Sequence, residues 1–266
     1  MFIEAFRYLT TNCKSEFRRL GYLHESIALE ARYRRLHDAW RDHAKKCQEL
    51  IRLAVEQCES RRKLVVLGSG ILAELPLEFL CQQFERVVLV DVVHVRSVHK
   101  QVAEFENVTL VEADISGLSA ELLSLNKQSK VLPESRAFIP ELDDTVDLII
   151  SANLLSQIYV GPLNFSVSRS RFSDEELIAW CQTIINAHMQ SLLDSGCRVC
   201  LITDTVHEEI NRNGDVLRRE DVLFGVKLPD SAWHWDWQLA PLGEISPHYS
   251  VNADVSGFIN FPLPVY

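Results

Sequence analysis

The sequence contains no run of eighteen apolar residues, no internal repeat and no low-complexity tract. Without such a run it does not encode a membrane-spanning helix, because about twenty apolar residues are needed to cross a bilayer. Near the N-terminus, Glu4 and Arg7 stand where a secretory signal would place an apolar stretch. We therefore expect a soluble cytoplasmic protein with no membrane partner.

The sequence also lacks a paired cysteine framework. Its 7 cysteines are an odd number and are widely scattered, and a chain of 266 residues can fold without disulfides. The only C-x-x-C pair, Cys197 and Cys200, lies in an apolar run, and no second pair completes a zinc site. We expect reduced thiols packed in the core and predict no metal site.

The first 60 residues show the periodicity of a helix. Between residues 25 and 60, apolar side chains recur at spacings of three and four, which places them on one helical face. We predict one long helix, or two in line, forming an N-terminal arm over 1–60 ahead of a domain over 61–266. The stripe consists of Leu29, Tyr33, Leu36, Trp40, Ala44, Cys47, Ile51, Ala54 and Cys58.

Charge is distributed unevenly along the chain. Residues 1–63 carry 14 Lys and Arg against 9 Asp and Glu, whereas the remainder carries 13 against 28. A basic segment suits an acidic partner, but solvated helices are commonly rich in charge as well. We favour the second interpretation, because the acidic remainder would repel a phosphate backbone. A nucleic-acid partner is therefore not expected.

The stretch around residue 68 has the pattern strand, glycine turn, helix, strand. The apolar run that ends at Leu67 predicts a parallel strand buried on both faces. Gly68-Ser69-Gly70 then lets the backbone turn sharply near a ligand, and a helix over 71–83 would offer free N–H groups at its start. The next strand ends in Asp91, placed to accept both hydroxyls of a ribose. This combination predicts a nucleotide-type cofactor.

The elements that follow indicate an open parallel α/β sheet. Ser173 begins a capped helix that Gly196 ends, and Asn213-Gly214 predicts a hairpin after the fifth strand. Residues 157–172 are interpreted either as a lid over the site or as an ordinary connection. The predicted elements are a helix over 94–105 and strands over 107–114, 145–153, 197–204 and 249–261.

Three tryptophans alternate with polar residues shortly before the C-terminus. Trp233, Trp235 and Trp237 lie on one face of a strand that pairs antiparallel with the last strand. We predict that this aromatic face is structural, packing under the flanking helices, and is not a platform on which a substrate stacks.

These motifs resemble the class I S-adenosylmethionine-dependent methyltransferases, and the similarity covers residues 61–266. The matching pieces are Leu67-Gly-Ser-Gly70, Asp91, Ala113-Asp114-Ile115 and Ser151-Ala-Asn-Leu-Leu-Ser156. The resemblance implies an α/β fold with a Rossmann-like seven-stranded, mostly parallel sheet and closing antiparallel strands, preceded by the helical arm. It implies S-adenosylmethionine as the cofactor.

The resemblance also implies individual roles. Gly68, Ser69 and Gly70 would hold the methionyl carboxylate, and Asp91 the ribose. Asp114 would accept from the adenine amino group while Ile115 packs against the ring or donates its N–H. Ser151 and Asn153, at the end of the fourth strand, would help the loop that follows to place the methyl group against its acceptor.

Two positions depart from the family pattern. Val66 stands where the family often has an acid, and Leu72 stands at the third glycine position. Both concern the methionyl end of the cofactor, where Glu74 is a candidate to compensate unless it is simply a surface residue. No Asn-Pro-Pro-Tyr or Pro-Cys motif follows the fourth strand, so the DNA-modifying subgroups match poorly. We expect a small-molecule or protein acceptor.

The implied reaction is an in-line displacement at the sulfonium methyl, in which orientation and exclusion of water supply most of the rate. Few catalytic side chains are required. If a proton must leave the acceptor, the candidates are Tyr159 after the fourth strand and Asp204 or His207 after the fifth. Each also has a plain structural interpretation, as a lid aromatic, a cap and a loop histidine.

Two other functions fit parts of the pattern. Gly68-Ser-Gly-Ile-Leu-Ala73 satisfies a loose dinucleotide fingerprint, although no Tyr-x-x-x-Lys pair accompanies it as in short-chain dehydrogenases. Alternatively, Val66 and Leu72 mark a catalytically inactive binding or scaffold protein of the same fold. The sequence leaves the acceptor and the oligomeric state open.

Overall fold

The structure is a computed structural model that describes residues 8, 10–169 and 171–261. Within this part of the chain, eight strands form one sheet. The strands are β1 (Lys63–Leu67), β2 (Arg86–Asp91), β3 (Val108–Glu112), β4 (Val146–Ala152), β5 (Arg198–Asn211), β6 (Val216–Asp221), β7 (Trp233–Ala240) and β8 (Tyr249–Phe258). The helices are α1 (Ser15–Arg19), α2 (Tyr22–Glu56), α3 (Leu77–Gln83), α4 (Arg96–Val102), α5 (Ser119–Leu122), α6 (Val160–Arg169) and α7 (Asp174–Asp194).

The sheet has the order β3-β2-β1-β4-β5-β8-β7, with β6 paired to β5. Strands β1 to β5 are parallel to one another, whereas β6, β7 and β8 pair antiparallel. The chain therefore leaves β1 toward one edge, builds β2 and β3, and returns to the other side of β1 with β4. This confirms the predicted fold class, a mostly parallel sheet closed by antiparallel strands.

The eighth strand arises from the hairpin at Asn213-Gly214. The fifth strand was expected to end at Asp204, but β5 continues to Asn211 and pairs with β6 across the turn. Gly214 has φ +88°, a backbone angle that favours glycine in a tight hairpin turn. The predicted hairpin is confirmed, and it extends the sheet beyond the seven strands that the resemblance implies.

Alternation along β1 divides the core into two layers. Leu64 and Val66 pack in the layer that includes α2, whereas Val65 and Leu67 pack in the layer that includes α7. All five residues of β1 are buried, because both faces of the sheet are covered by helices.

Within the predicted arm, the apolar stripe lies mainly on a single helix of 35 residues, α2, and the short helix α1 precedes it. Apart from Leu29, which is 37% exposed, its stripe packs in the same layer as the central strands and β7, so the apolar periodicity of the sequence identified most of its inner face. Trp40 and Cys47 are buried on this face, and Leu50 lies against Gly257 of β8. The helix begins at Tyr22, one turn before the predicted start at Glu25.

Three loops and helix ends differ from the sequence predictions. The helix predicted over 71–83 begins only at Leu77, because Leu72 adopts a left-handed φ of +68° and Pro76 caps the helix start. The Gly68–Gly70 turn is therefore not at the N-terminus of a helix. The helix predicted over 94–105 spans Arg96–Val102. The segment 157–172 contains a helix, α6, in place of an irregular connection.

Other boundary signals were correct. Ser173 accepts at Oγ from the Glu176 N–H at 3.3 Å, and the Glu176 carboxylate accepts from the Ser173 N–H at 2.8 Å, forming the expected capping box.

Within the described residues, each of the seven cysteines is a free thiol. None of the described helices is long and apolar enough to cross a bilayer.

The three tryptophans of β7 differ in how deeply they are buried. Trp235 and Trp237 are buried, whereas Trp233 is only partly buried. Trp235 is tightly enclosed, since a Cβ added to Gly257 would lie 3.1 Å from its ring. Truncating it would leave a large cavity in the layer below α2.

We predict that Trp235→Ala lowers the free energy of unfolding by about 3 to 5 kcal/mol through that cavity. Trp233→Ala, on the same face of β7, should cost clearly less. Denaturant unfolding of both variants beside the parent checks this. Equal losses in the two variants, or a parent-like Trp235→Ala protein, would contradict a structural role for Trp235.

Candidate active site

A cavity of about 360 Å³ opens at the carboxyl ends of the parallel strands. It lies where the chain diverges from β1 toward β2 on one side and β4 on the other, which is where open α/β sheets bind ligands. Five strands, or the loops that follow them, contribute to its wall. Their lining residues include Gly68 after β1, Asp91 at the end of β2, Asp114 after β3, Asn153 after β4 and Asp204 in β5.

Helix α2 of the arm forms one wall of the cavity. Its lining residues are Tyr22, Leu29, Tyr33 and Trp40 together with the charged residues Glu25 and Arg32. A Cβ on Gly161 of α6 would lie 2.4 Å from the Tyr22 ring. Glycine at this position therefore lets α2 and α6 meet at the cavity.

Gly68 is required by close contact as well as by its backbone angle. Its φ is +73°, and an added Cβ would lie 3.0 Å from Leu154 Cβ and 3.1 Å from the Ala152 carbonyl oxygen. Gly70 has φ +53°, but a Cβ added there would lie 3.9 Å from the Gly68 carbonyl oxygen, so space does not restrict this position. Between them, Ser69 is buried, and its Oγ has no hydrogen-bond partner within the described part of the chain.

Asp91 joins the glycine turn to β2. Its Oδ2 accepts from the Gly70 N–H at 2.7 Å and its Oδ1 from the Val92 N–H at 2.7 Å. Burial raises the pKa of this carboxyl, while His94 and the backbone N–H groups act in the opposite direction. Each oxygen has a second lone pair, so Asp91 can still accept from a ligand in the cavity.

Asp114 lines the cavity but is heavily engaged in its own loop. Its two oxygens accept from the backbone N–H groups of Ser116, Leu118 and Ser119 and from the hydroxyls of Ser116 and Ser119. The predicted contact with an adenine amino group would have to share these oxygens. Ile115 is buried and supplies an apolar part of the wall.

Ser151 and Asn153 face different parts of the molecule. Ser151 is fully buried and does not line the cavity, because its Oγ lies 3.0 Å from Nε2 of His188 on α7. Within β4, Ser151 is on the same face as Ile149 and points into the layer that includes α7, so the cavity, where a cofactor contact was predicted for it, is lined without Ser151. Asn153, just after the strand, lines the cavity.

Only one of the three proton-accepting candidates lines the cavity. Tyr159 is buried outside it and donates to the Val222 carbonyl at 2.8 Å, and burial raises the pKa of its phenol. His207 also lies outside the lining. Asp204 reaches the cavity, but its carboxylate accepts from the Ser156 hydroxyl and lies 2.5 Å from His207 Nε2.

A group that the sequence analysis missed surrounds Glu74. His43 of α2 is buried, and its Nε2 lies 3.1 Å from Glu74 Oε1. Nδ2 of Asn153 donates to the same oxygen at 3.2 Å. His43 follows Trp40 by three residues and precedes Cys47 by four, so the spacing of the apolar stripe contained the signal that this histidine points inward.

Two tryptophans of β7 fix the His43 ring. Trp235 donates its Nε1–H to Nδ1 at 3.0 Å, and the Trp237 ring stacks on the imidazole with centroids 3.9 Å apart. An indole N–H is only a donor, so Nδ1 acts as an acceptor. The proton of the neutral imidazole is thereby placed on Nε2, which lies 3.1 Å from Glu74 Oε1 and also 3.0 Å from Asn153 Nδ2 and 3.4 Å from Cys47 Sγ.

His43, Cys47 and Glu74 place potential metal-ligand atoms within 4.8 Å of one another, the one such group among the residues described. The hydrogen bond from Trp235 argues against a metal there, because it leaves Nε2 protonated and without a lone pair. Burial also raises the pKa of the Cys47 thiol well above its usual value, which disfavours the thiolate that a metal binds.

No protein-family model matches the chain, and no curated protein sequence matches it. Its fold is similar to solved methyltransferases, the family that the sequence motifs resemble. The N-methyltransferase NodS from Bradyrhizobium japonicum, bound to S-adenosylhomocysteine, has 12% identity and a TM-score of 0.39 over 84% of this chain and 90% of its own.

Two further structures show the same level of similarity. The 1,6-didemethyltoxoflavin-N1-methyltransferase from Burkholderia thailandensis has 12% identity and a TM-score of 0.36 over 92% of this chain and 90% of its own. The glycopeptide N-methyltransferase MtfA, bound to S-adenosylmethionine, has 12% identity and a TM-score of 0.37 over 78% and 75%.

His188, the partner of Ser151, is fully buried on α7 and should make stability depend on pH. Burial lowers the pKa of His188 to about 4, so on acidification the unfolded chain takes up the proton before the folded one. Stability should therefore be complete above about pH 6.5 and fall by about 3 kcal/mol as the pH drops toward 4. Urea unfolding near neutral pH and near pH 4.5 should show this loss in the parent and a smaller one in His188→Gln. The same acid loss in both proteins would contradict it.

Proposed function

We propose that the cavity binds S-adenosylmethionine and that the protein transfers its methyl group to a small-molecule or protein acceptor. One observation carries the proposal: the cavity at the carboxyl ends of β1 and β4 combines the Gly68–Gly70 turn and Asp91 with side chains whose buried polar atoms have no hydrogen-bond partner among the described residues. A polar, nucleotide-like ligand would satisfy these groups.

Three buried polar atoms without a hydrogen-bond partner within the described residues belong to side chains that line the cavity. They are Ser69 Oγ, Asn153 Oδ1 and Trp237 Nε1. Leaving a buried donor or acceptor unsatisfied costs about 1 to 3 kcal/mol for each group. Their concentration in one cavity supports a polar ligand there, and the cavity volume of about 360 Å³ is in the range of small-molecule sites.

The cofactor's nucleoside is assigned to the β2–β3 side of the cavity. There the free lone pairs of Asp91 would accept the ribose hydroxyls, and Ile115 would pack against the adenine. Asp114 is proposed mainly to hold the adenine loop, since its oxygens already accept five hydrogen bonds. The methionyl end then extends past Gly68, Ser69 and Gly70 toward Asn153.

The reaction follows from this placement. The acceptor's lone pair forms a bond to the methyl carbon while the carbon–sulfur bond breaks, and the electron pair stays on sulfur to give S-adenosylhomocysteine. The chain contributes orientation and a site closed by α2, which together can supply most of the acceleration. Asp204 is the candidate to receive a proton from an acceptor that must lose one.

The acceptor is assigned to the space beneath the arm. Leu29, Tyr33 and Trp40 give it an apolar and aromatic wall, and Glu25 and Arg32 add one charge of each sign. An enclosed pocket of this kind suits a small molecule or a single protein side chain. It does not suit a nucleic-acid duplex, whose recognition requires an extended basic surface.

A binding protein without catalytic activity is the second candidate. The positions of the three acid–base candidates favour it: Tyr159 and His207 lie outside the cavity, and Asp204 is already hydrogen-bonded to Ser156 and His207. Calorimetric titration with S-adenosylmethionine, S-adenosylhomocysteine and NAD, beside a methyl-transfer assay, separates the cases. Binding of the first two with turnover supports the methyltransferase, and binding without turnover on any acceptor supports the second candidate. Binding of NAD alone would replace both with a dinucleotide enzyme.

We predict that Asp91→Ala weakens S-adenosylhomocysteine binding by about 2 to 4 kcal/mol, because two hydrogen bonds to a carboxylate are lost. Glu112→Gln is the matched control, since Glu112 is the register partner of Asp91 on β3 but does not line the cavity. Calorimetry on both folded variants measures the difference. Unchanged affinity in Asp91→Ala would refute the ribose assignment.

We predict that a chain shortened to begin near Glu59 aggregates or loses activity. The deletion exposes the apolar surface that α2 covers and removes one wall of the cavity. Light scattering and the methyl-transfer assay give the two readouts. A shortened protein that stays monomeric and fully active would show that the arm is dispensable.

A further inference from the structure

We infer that Glu74 and Asn153 bind the positively charged amino group at the methionyl end of the cofactor, and that His43 of the arm holds Glu74 in position for this. The inference deepens the proposed function and rests on it. It identifies a residue set that replaces the acid missing at Val66, with one member supplied by the arm.

Glu74 has the charge and the free capacity that an ammonium group requires. It lines the cavity, and the hydrogen bonds from His43 and Asn153 both end on Oε1. The second oxygen, Oε2, is left for a ligand. Asn153 adds a neutral acceptor, because its Oδ1 is buried without a hydrogen-bond partner in the described chain. Two acceptors, one of them charged, match an ammonium that carries three N–H donors.

The surrounding donors fit the other end of an α-amino acid. Ser69 Oγ and Trp237 Nε1 are buried at the same cavity and have no partner among the described residues. Both can donate to a carboxylate. Trp237 stacks on His43, which in turn contacts Glu74. The side chains around this one cavity therefore carry both unused acceptors and unused donors, a combination that a zwitterion could satisfy.

His43 acts as a positioning residue. It does not line the cavity itself, but its Nε2–H is directed at Glu74 Oε1 because Trp235 occupies Nδ1. The ring is buried and is clamped by the stacked Trp237. The Glu74 carboxylate thus has one fixed partner from α2 and one from the loop after β4, which together restrict its rotamer before the ligand arrives.

The test compares two ligands that differ at the amino-acid end. S-adenosylhomocysteine carries the ammonium and carboxylate, whereas 5′-methylthioadenosine shares the nucleoside and the thioether but lacks both groups. We expect Glu74→Gln to weaken S-adenosylhomocysteine by about ten- to a hundredfold and to leave 5′-methylthioadenosine within about threefold of the parent. Glu78→Gln is the matched control, because Glu78 is exposed on α3 outside the cavity.

The positioning role has its own readout. Trp235→Phe keeps most of the aromatic packing but removes the N–H that fixes the His43 tautomer, so it should weaken S-adenosylhomocysteine by about three- to tenfold without affecting 5′-methylthioadenosine. His43→Leu should do the same. A purely structural role for His43 or Trp235 would weaken both ligands equally, which would overturn the positioning assignment.

The outcomes separate this inference from the proposed function. If the parent protein binds neither ligand, the proposed function fails and the inference fails with it. If the parent binds both ligands and Glu74→Gln weakens neither, or weakens both equally, the inference alone is overturned. Stoichiometric zinc in the purified protein, lost in His43→Leu, would also overturn it by assigning His43 and Glu74 to a metal.

Discussion

The parallel pairing of β1 with β2 on one side and β4 on the other is the constraint on which the rest of the structure depends. Because β1 is buried on both faces, both layers of helices must cover it, and the chain can leave it only at its carboxyl end. The turn at Gly68 packs so closely against Ala152 and Leu154 that the loops after β1 and β4 form one wall. The cavity is a direct consequence of this geometry.

The arm belongs to the same physical unit as the sheet. Its apolar stripe is part of the core layer beneath β7, and residues from the same helix also line the cavity. Packing and ligand binding are therefore joined in one element. His43 of this helix links the core to the cavity. Its ring contacts Trp235 and Trp237 in the core, and its Nε2 lies 3.1 Å from the Glu74 carboxylate at the cavity.

Several polar groups of the residues around the cavity lower the stability of the folded protein. Ser69, Asn153 and Trp237 each present an atom without a partner in the described chain, and burial raises the pKa of the Asp91 carboxyl. Each of these features opposes stability in the empty protein. A ligand that supplied the missing donors and acceptors would recover that free energy, so ligand binding and stability should be linked.

Local patterns in the sequence determined the element types and much of the cavity wall. The β-branched run before Gly68, the stripe of α2, the Ser173 capping box and the Asn213-Gly214 turn each depend on neighbouring residues, and each was identified correctly. The same patterns placed Gly68, Asp91, Asp114 and Asn153 at the carboxyl ends of strands. Parallel strands bring these ends to one edge, so four residues distant in sequence were expected to meet.

Only the tertiary structure decided which side chains reach the cavity. Ser151 lies within β4 and faces His188 in the core, whereas Asn153 lies beyond the end of the strand, with a left-handed φ of +48°, and lines the cavity. Tyr159 is turned toward Val222 by the packing of α6. His43, Glu74 and Trp235 are separated by long stretches of chain, and their contact exists only because α2 crosses β7. Sequence periodicity can orient a residue within its own element, but contacts between elements depend on how they pack.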